Sequence, residues 1–311
     1  MISAAARSWV LWLLIAVYAV VTVVADAFPR TFASPLNLPL SILIPLCFGL
    51  LHGALRYRAT GIVVFLVLCL GISNILENVS VMTGFPFGHY HYTDVLGPKL
   101  FLVPLLIGPA YFGTGYLSWV LANVLLGTDR RRDALATILV PVVATFIMVG
   151  WDVCLDPQSS TITKIWIWEQ GGSYFGVPVS NYLGWCLTVF AFLMLFSLYR
   201  AWRPEPVVQP LPRGYWYQAC ALFAVMALDF PAGYLGQPNV AVTDAAGKVW
   251  QTGDIFGTAA IASLFTMLFV AVASFAVLLL RPAQPSYPQG REKKARTNLE
   301  LVSIKECESA G

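Results

Sequence analysis

The sequence predicts an all-α fold, a polytopic integral membrane helical bundle of about eight transmembrane helices with the N and C termini in the cytoplasm. Hydrophobic residues make up 58% of the 311 residues and charged residues only 11%, compared with about 25% charged in soluble domains. Apolar runs of about 20 residues, the length that crosses a hydrocarbon layer, recur along the chain. The Lys and Arg residues between those runs fall mainly on one side of the bundle.

Eight apolar runs define the predicted helices. The first run could instead be a signal peptide, because Ala25 and Ala27 lie near its end, but it is long for the apolar part of such a peptide and a helix is preferred. A very short turn from Arg56 to Ala59 separates the second run from the third. The runs lie near residues 8–25, 37–55, 60–77, 99–126, 134–155, 178–199, 214–235 and 255–280.

The distribution of basic residues sets the predicted orientation. If all eight runs cross, fifteen of the nineteen Lys and Arg residues lie on the same side as the N-terminus. Cytoplasmic loops carry such an excess, so both termini are placed in the cytoplasm and the chain in the cell membrane as a multi-pass protein. The other side holds only Arg30, Lys99, Lys164 and Lys248.

Two parts of the chain differ in composition. Residues 1–282 contain the apolar runs and are predicted to form the transmembrane helical domain. Residues 283–311 are low in apolar residues and mixed in charge, which is typical of a disordered segment. This cytoplasmic tail also carries a basic patch that can touch anionic lipid.

The first polar focus is the third predicted helix and the loop that follows it. Asn74, Glu77 and Asn78 follow the spacing that puts side chains on one helix face. Such a face is costly against lipid, so we expect it to point into the bundle or to the outer headgroup level. The loop, rich in turn-forming Gly and Pro, then gathers His89, Tyr90, His91, Tyr92, Asp94 and Lys99. This density indicates a site or a lid, with an interfacial aromatic belt as the alternative.

The fourth predicted helix begins at Gly97-Pro98-Lys99, where Pro98 suits a first-turn position. At about 28 residues this helix is long for a single span, which suggests tilt or a break. Pro104 and Pro109 are expected to bend it.

The second polar focus is the end of the fifth helix and the loop after it. Asp152 and Asp156 are four residues apart, stacked on one face at the same outer level as Glu77. Trp166 and Trp168 alternate with isoleucines, as in a short strand or an interfacial segment. The sixth helix begins with Asn181 and Trp185, again four apart, and an aromatic belt remains the alternative here. The odd helices end in acids, a weak sign of repeated helix pairs that chance can mimic: Asp26, Glu77, Asp152 and Asp229.

Several chemistries are disfavoured by the composition. The chain has three histidines, too few for a membrane di-iron site, and its six cysteines show no close pairing. His52, near the cytoplasmic end of the second helix, is more typical of a hydrogen-bonded side chain than of a metal ligand. Alternate histidines in a tyrosine-rich loop, His89 and His91 with Asp94, are weak support for a metal site, and none is predicted. The phosphate-binding, dinucleotide and GxSxG motifs are absent.

The two foci resemble a known family. Glu77 followed by GFPFGHYHYTDVLGPKLFLVPLL, then the acids of WDVCLDP and the segment WIWEQGGSYFGVPVSNYLGW, are similar to the carotenoid biosynthesis membrane family that contains the CruF-type carotenoid 1,2-hydratases, including the bisanhydrobacterioruberin hydratases. The resemblance covers roughly Asn74 to Trp185, and the flanking helices resemble the family only in hydrophobicity. His89 and His91 stand where we expect more varied residues, which argues further against a metal role.

This resemblance implies the cofactor-free addition of water to the terminal C1=C2 double bond of an acyclic carotenoid such as lycopene or γ-carotene. It also implies a lipophilic carotenoid substrate, contact with membrane lipid and with other carotenoid enzymes, and no nucleic acid. Protonation at C2 creates a tertiary cation at C1, so the site needs a protonated carboxylic acid, aromatic faces and a group that holds water.

The residues of the two foci can be assigned to these roles. The acid candidates are Glu77, Asp152 and Asp156, with Asp94 behind them. Asn181 or Asn74 could orient water, and Lys99 is placed among the substrate-binding residues. The cation-facing candidates are Tyr90, Tyr92, Trp151, Trp166, Trp168 and Trp185.

Two other classes of function remain open at this point. A small-solute or ion transporter also has acids at helix ends, but its acids should lie nearer the middle of several spans. A non-catalytic carotenoid-binding or assembly protein needs the aromatic groove without the carboxyl groups. Variants in which an amide replaces a carboxyl would distinguish such a protein from an enzyme.

Overall fold

The computed structural model describes residues 4–128, 133–203 and 211–281 and is mainly helical. The predicted tail from residue 283 and the arginines at 130–132 lie outside these described residues. The helices are α1 (Ala4–Ala19), α2 (Ala25–Ala27), α3 (Pro29–Phe32), α4 (Asn37–Thr83), α5 (Ile107–Leu125), α6 (Ala134–Asp156), α7 (Val179–Trp202), α8 (Arg213–Gly236), α9 (Thr252–Ser263) and α10 (Phe269–Leu280). Three π-helical segments continue α1, α6 and α9, namely Val20–Val24, Pro157–Ile162 and Leu264–Leu268.

Within the described residues, six helices are long and apolar enough to cross a membrane, which is the architecture of a membrane protein. This count differs from the predicted eight for two reasons. The second and third predicted helices are merged in α4, a 47-residue element interrupted at Arg58, where φ is 55°. The interruption lies within the turn predicted between residues 56 and 59. The fourth predicted helix, α5, falls outside the six.

The composition of α5 follows from its position in the bundle. All of its residues from Tyr111 to Val124 are buried. Small and hydroxyl-bearing residues allow close packing between helices in a membrane bundle, and several of them in α5 lower its hydropathy. Around it, Phe65 of α4 packs edge-on against Phe112 of α5 and Phe196 of α7, with ring centroids 5.5 and 4.8 Å apart.

His52 is a buried member of this core, as its sequence position indicated. Its Nδ1 lies 2.6 Å from the Tyr116 hydroxyl and its Nε2 lies 2.8 Å from the backbone oxygen of Tyr215. Both ring nitrogens are therefore hydrogen-bonded to protein atoms. The prediction of a hydrogen-bonded histidine is confirmed.

The start predicted for the fourth helix is wrong. Residues 99–104 form a hairpin of β2 (Lys99–Leu100) and β3 (Val103–Pro104), and α5 begins only at Ile107. Phe101 at the turn has φ 56°. A helix begun at residue 99 would put Pro104 in its interior, where the ring clashes with the carbonyl four residues earlier. Pro104 therefore does not bend a helix, because it lies in the hairpin.

The loops after α4 and α6 pair with each other. Strand β1 (Tyr90–Tyr92) runs antiparallel to β4 (Trp166–Trp168), with Tyr90 opposite Trp168 and Tyr92 opposite Trp166. Of the two alternatives for the tryptophan segment, a short strand or an interfacial segment, the structure has the short strand. Because side chains alternate along a strand, Tyr90 and Tyr92 are buried while His91 between them is exposed. A second hairpin, β5 (Ala241–Thr243) with β6 (Val249–Gln251), lies between α8 and α9.

Candidate active site

A cavity beneath the β1–β4 ribbon brings the two polar foci together. It holds about 1050 Å³ of empty space, part of it open to the surroundings. Three of its lining residues are acids, Glu77, Asp156 and Asp229, and none of the described residues that line it is Lys, Arg or His. Its aromatic lining consists of Tyr18, Phe87, Tyr90, Tyr92, Tyr111, Trp151, Trp166, Trp168, Trp185 and Phe230.

Glu77 is the first acid of this cavity. It lies in the last two turns of α4 and is only 4% exposed. Tyr90 and Tyr92 of β1 donate hydrogen bonds to its Oε2, the second at 2.9 Å, and Tyr111 of α5 donates to its Oε1 at 2.7 Å. Both carboxyl oxygens are thus occupied as acceptors. Hydrogen bonds donated to a carboxylate favour its charged form.

The tyrosines of β1 are fixed as donors. Burial, followed by the negative charge of Glu77, raises the pKa of Tyr90 and Tyr92 well above their usual value. Their hydroxyls therefore remain protonated at any pH at which a cell grows. Both can donate permanently to Glu77.

Asp156 is the second acid, and three N–H groups donate hydrogen bonds to its carboxyl oxygens. Its Oδ1 accepts from the indole nitrogens of Trp166 at 2.7 Å and Trp168 at 3.2 Å. Its Oδ2 accepts from the amide nitrogen of Asn181 at 2.6 Å. An indole nitrogen can only donate, so Asp156 acts as an acceptor in these bonds.

Asn181 also connects Asp156 to Asp152. Its amide nitrogen lies 3.0 Å from Asp152 Oδ2. Asp152 is buried at 1% exposure, and its Oδ1 has no hydrogen-bond partner among the described residues. Asp152 does not line the cavity and instead lies behind Asp156, across the shared amide. The spacing of four residues that suggested a paired site does bring these carboxyl groups together.

Aromatic rings face the space between these acids. Trp185 stacks on Tyr111 with ring centroids 4.3 Å apart and planes within 3°, and Trp151 meets Trp185 edge-on at 6.0 Å. Trp168 lies against Tyr90 at 4.7 Å. Aromatic faces attract cations, so this lining can stabilise positive charge that develops on a bound ligand.

Other residues selected from the sequence lie away from the cavity lining. The side chain of Asp94 is 99% exposed and pairs with Lys99 Nζ at 3.1 Å, and Lys99 also donates to the backbone oxygen of Tyr92. Asn74 is partly buried and accepts from the Asn78 side-chain amide at 3.2 Å. Lys99 thus stabilises the loop that contains β1 through contacts outside the cavity.

The histidines of the β1 loop are also outside the cavity. His89 and His91 are both exposed, and His91 Nδ1 lies 3.2 Å from Glu169 Oε1. No group of three or more His, Cys, Asp or Glu side chains with a metal-binding arrangement occurs in the part of the chain that the structure describes.

Three cavity residues with ionisable side chains were not selected as site residues from the sequence. Tyr111 lies inside an apolar helix, where a tyrosine gives no pattern of its own. Tyr18 is similarly placed in α1. Asp229 stood out only as one of the acids that end odd helices, and its part in the cavity depends on how α8 packs.

Known proteins match part of this chain. The sequence model of the family described as "Carotenoid biosynthesis protein" matches residues 37–235, which include every acid of the cavity. A bisanhydrobacterioruberin hydratase of Haloarcula japonica is 36% identical over 124 residues, 39% of this chain and 40% of that relative. The alignment thus spans less than half the length of that relative. No solved structure matches the chain.

Proposed function

The chain belongs to the carotenoid biosynthesis protein family, and on that basis we propose that it is a carotenoid hydratase. The proposed reaction adds water to the terminal C1=C2 double bond of an acyclic end group, as in lycopene, γ-carotene or a C50 relative, and gives a tertiary alcohol. The observation that carries the proposal is the cavity itself, where Glu77 and Asp156 stand among aromatic rings with no basic residue in the described lining.

The chemistry divides into three steps that these groups suit. A protonated carboxyl group gives its proton to C2, which leaves a tertiary cation at C1. The rings of Trp151, Trp185 and Tyr111 and the negative carboxylates lower the energy of that cation. Water then forms a bond to C1, and a carboxylate accepts the proton that the water loses. The three proposed steps need no cofactor. Of the acid candidates from the sequence, Glu77 and Asp156 line the cavity, and Asp152 lies behind Asp156.

The proposal includes a topology. If the two halves of α4 cross separately on either side of Arg58 and α5 also crosses, the chain has eight spans in the cytoplasmic membrane, with both termini in the cytoplasm. The distribution of Lys and Arg supports this arrangement. Glu77 and Asp156 then lie near the non-cytoplasmic face, and the apolar remainder of the carotenoid extends between helices toward lipid. Membrane lipid and other carotenoid enzymes are the expected neighbours.

The test is expression in one bacterial host that accumulates lycopene and in another that accumulates γ-carotene. Extracted pigments are separated by chromatography and weighed by mass spectrometry. We expect a more polar product that is heavier by one water, and its loss in Glu77→Gln and Asp156→Asn. Glu169→Gln is the matched control, because Glu169 is exposed and outside the cavity lining.

Unchanged pigment in both hosts, with the protein present in the membrane, would refute the hydration of lycopene and of γ-carotene and would leave the C50 relative as the substrate to supply next. Unchanged carotenoid that copurifies with the protein would instead favour a binding protein. A binding protein should also keep its pigment in the Glu77→Gln variant, whereas a hydratase should lose product.

A further inference from the structure

A second pair of carboxyl groups lies where the first apolar helix meets α8. Asp229 of α8 lines the cavity, as does Tyr18 of α1. Asp26, in α2, interacts electrostatically with Asp229 and carries a hydrogen bond from the side chain of Gln237. A Cβ placed on Gly233, one turn after Asp229, would lie 3.8 Å from Asp26 Oδ2. The Asp26 carboxyl group therefore packs against the same face of α8.

The hydrogen bonding of Asp229 differs from that of the other two cavity acids. Glu77 and Asp156 each accept three hydrogen bonds from protein donors. Asp229 Oδ1 is buried and has no hydrogen-bond partner within the described ranges. A buried charged oxygen without a donor is costly, and the cost is avoided if the group carries a proton.

The neighbouring acid reinforces this argument. Two carboxyl groups close together in a medium of low dielectric constant cannot both ionise at low cost, so one of them retains a proton. The described lining of the cavity offers no Lys, Arg or His to offset a second negative charge. Because the Gln237 side chain donates to Asp26 while Asp229 Oδ1 has no donor among the described residues, we assign the retained proton to Asp229. Asp229 also contacts the cavity.

We propose that Asp229 is the catalytic acid of this cavity and that Glu77 and Asp156 act as carboxylates. This proposal rests on the proposed hydration. The Asp229 O–H bond breaks as the C2–H bond forms, and the π electrons of C1=C2 make that new bond. Water then adds to C1 and loses a proton to Glu77 or Asp156. That proton returns to Asp229 through water in the cavity before the next turnover.

This division of roles makes a prediction that isotopes can test. If water capture fails while the acid still works, the cation at C1 persists, and rotation about the C1–C2 bond lets it lose the original hydrogen of C2 when the double bond forms again. In D2O the acid carries deuterium, so the recovered alkene gains deuterium at C2 without becoming an alcohol. If the acid is missing, neither alcohol nor labelled alkene forms.

The experiment uses membranes that contain the full-length protein and lycopene, transferred to D2O buffer. We expect Asp229→Asn to lower the yield of alcohol about 100-fold or more and to leave the recovered lycopene unlabelled. Glu77→Gln should also lower the yield, but its recovered lycopene should carry deuterium. Asp229→Glu, which restores a carboxyl group, should regain part of the labelling. Asp254→Asn is the control, because Asp254 is exposed and does not line the cavity.

The outcomes separate this proposal from the function on which it rests. If the wild type makes no alcohol from lycopene, the proposed hydration of lycopene is refuted, whatever the role of Asp229. If the wild type is active and Asp229→Asn still forms alcohol or labels lycopene at the wild-type rate, Asp229 is not the acid. Protein level and unfolding temperature are measured for each variant. Asp229→Ser serves as a second variant without a carboxyl group, and wild-type labelling in either folded variant overturns the proposal.

Discussion

Tyr111 of α5 donates a hydrogen bond of 2.7 Å to Glu77 Oε1 of α4. The other two donors to this carboxyl group, Tyr90 and Tyr92, lie in β1, whereas Tyr111 lies in a helix. Its ring also stacks on Trp185. Tyr111 therefore positions both the Glu77 carboxyl group and the aromatic ring of Trp185 in the cavity.

Tyr111→Phe should separate these two contributions. The ring and its stacking remain, while Glu77 Oε1 loses its donor. A hydrogen bond to a charged group contributes about 1.5–3 kcal/mol, so we expect hydration to fall roughly tenfold to a hundredfold. The measurement is the yield of alcohol per amount of membrane protein. Tyr217→Phe is the control, because Tyr217 stacks on Phe275 away from the cavity, and an equal loss in both variants would contradict a specific role for Tyr111.

Trp166→Phe should remove a hydrogen bond to Asp156 while keeping an aromatic ring in place. The indole nitrogen of Trp166 lies 2.7 Å from Asp156 Oδ1, closer than that of Trp168 at 3.2 Å. We therefore expect a larger loss of hydration from Trp166→Phe, about tenfold, than from Trp168→Phe.

The matched control for these tryptophans is Trp250→Phe. Trp250 donates to Asp244 Oδ2 at 2.8 Å in the β5–β6 hairpin, outside the cavity lining. Trp250→Phe removes an indole-to-carboxyl hydrogen bond of the same kind, and it changes no residue that lines the cavity. If Trp250→Phe lowers activity as much as Trp166→Phe, the effect comes from folding and not from Asp156.

Asp94→Asn should have little effect. Asp94 was an acid candidate by sequence, but its side chain is 99% exposed and its partner is Lys99. A surface ion pair contributes about 0–1 kcal/mol. We expect product yield within about twofold of the wild type. Loss of activity as severe as that of Glu77→Gln would show that the exposed loop closes over the substrate.

Gly184→Ala should destabilise the fold. A Cβ at Gly184 would lie 2.5 Å from Phe87 Cδ1 and 3.0 Å from its Cα, so α7 could no longer pack against the loop after α4. Overpacking of this kind costs about 1–3 kcal/mol, and the thermal unfolding midpoint of the purified protein should fall.

Gly71→Ala in α4 is the matched control for Gly184→Ala. A Cβ at Gly71 meets nothing within 4 Å. Replacing a helical glycine by alanine there should stabilise the helix by about 0.5–1 kcal/mol. A midpoint that falls equally in both variants would show that contact with Phe87 is not the cause.

The helices could be predicted from the sequence because long apolar runs have few other uses. The start of the fourth helix could not, because hydropathy does not distinguish a helix from an apolar hairpin. Leu100, Phe101 and Leu102 are all exposed at that hairpin, as suits a segment next to lipid. The structure there is determined by the backbone turn at Phe101 and by Pro104, which disfavours a helix.

The candidate site was predicted only where its residues form a local pattern. Glu77, Asp152 and Asp156 could be found because polar side chains at helical spacing are rare in apolar helices. The approach of Asp26 to Asp229 could not be predicted, because these residues are about 200 positions apart and their contact depends on packing between helices. Tyr111 was missed for the same reason.

The pairing of β1 with β4 makes loop length a determinant of activity. Tyr90 and Tyr92 face inward only because the strands meet in one register, and a shift by one residue would turn their rings outward. Insertion of one residue between Gly88 and Tyr90 should therefore abolish the proposed hydration without changing any residue of the cavity, whereas a two-residue insertion should retain the inward rings. In related sequences, we expect insertions and deletions in these loops to change the length by an even number of residues.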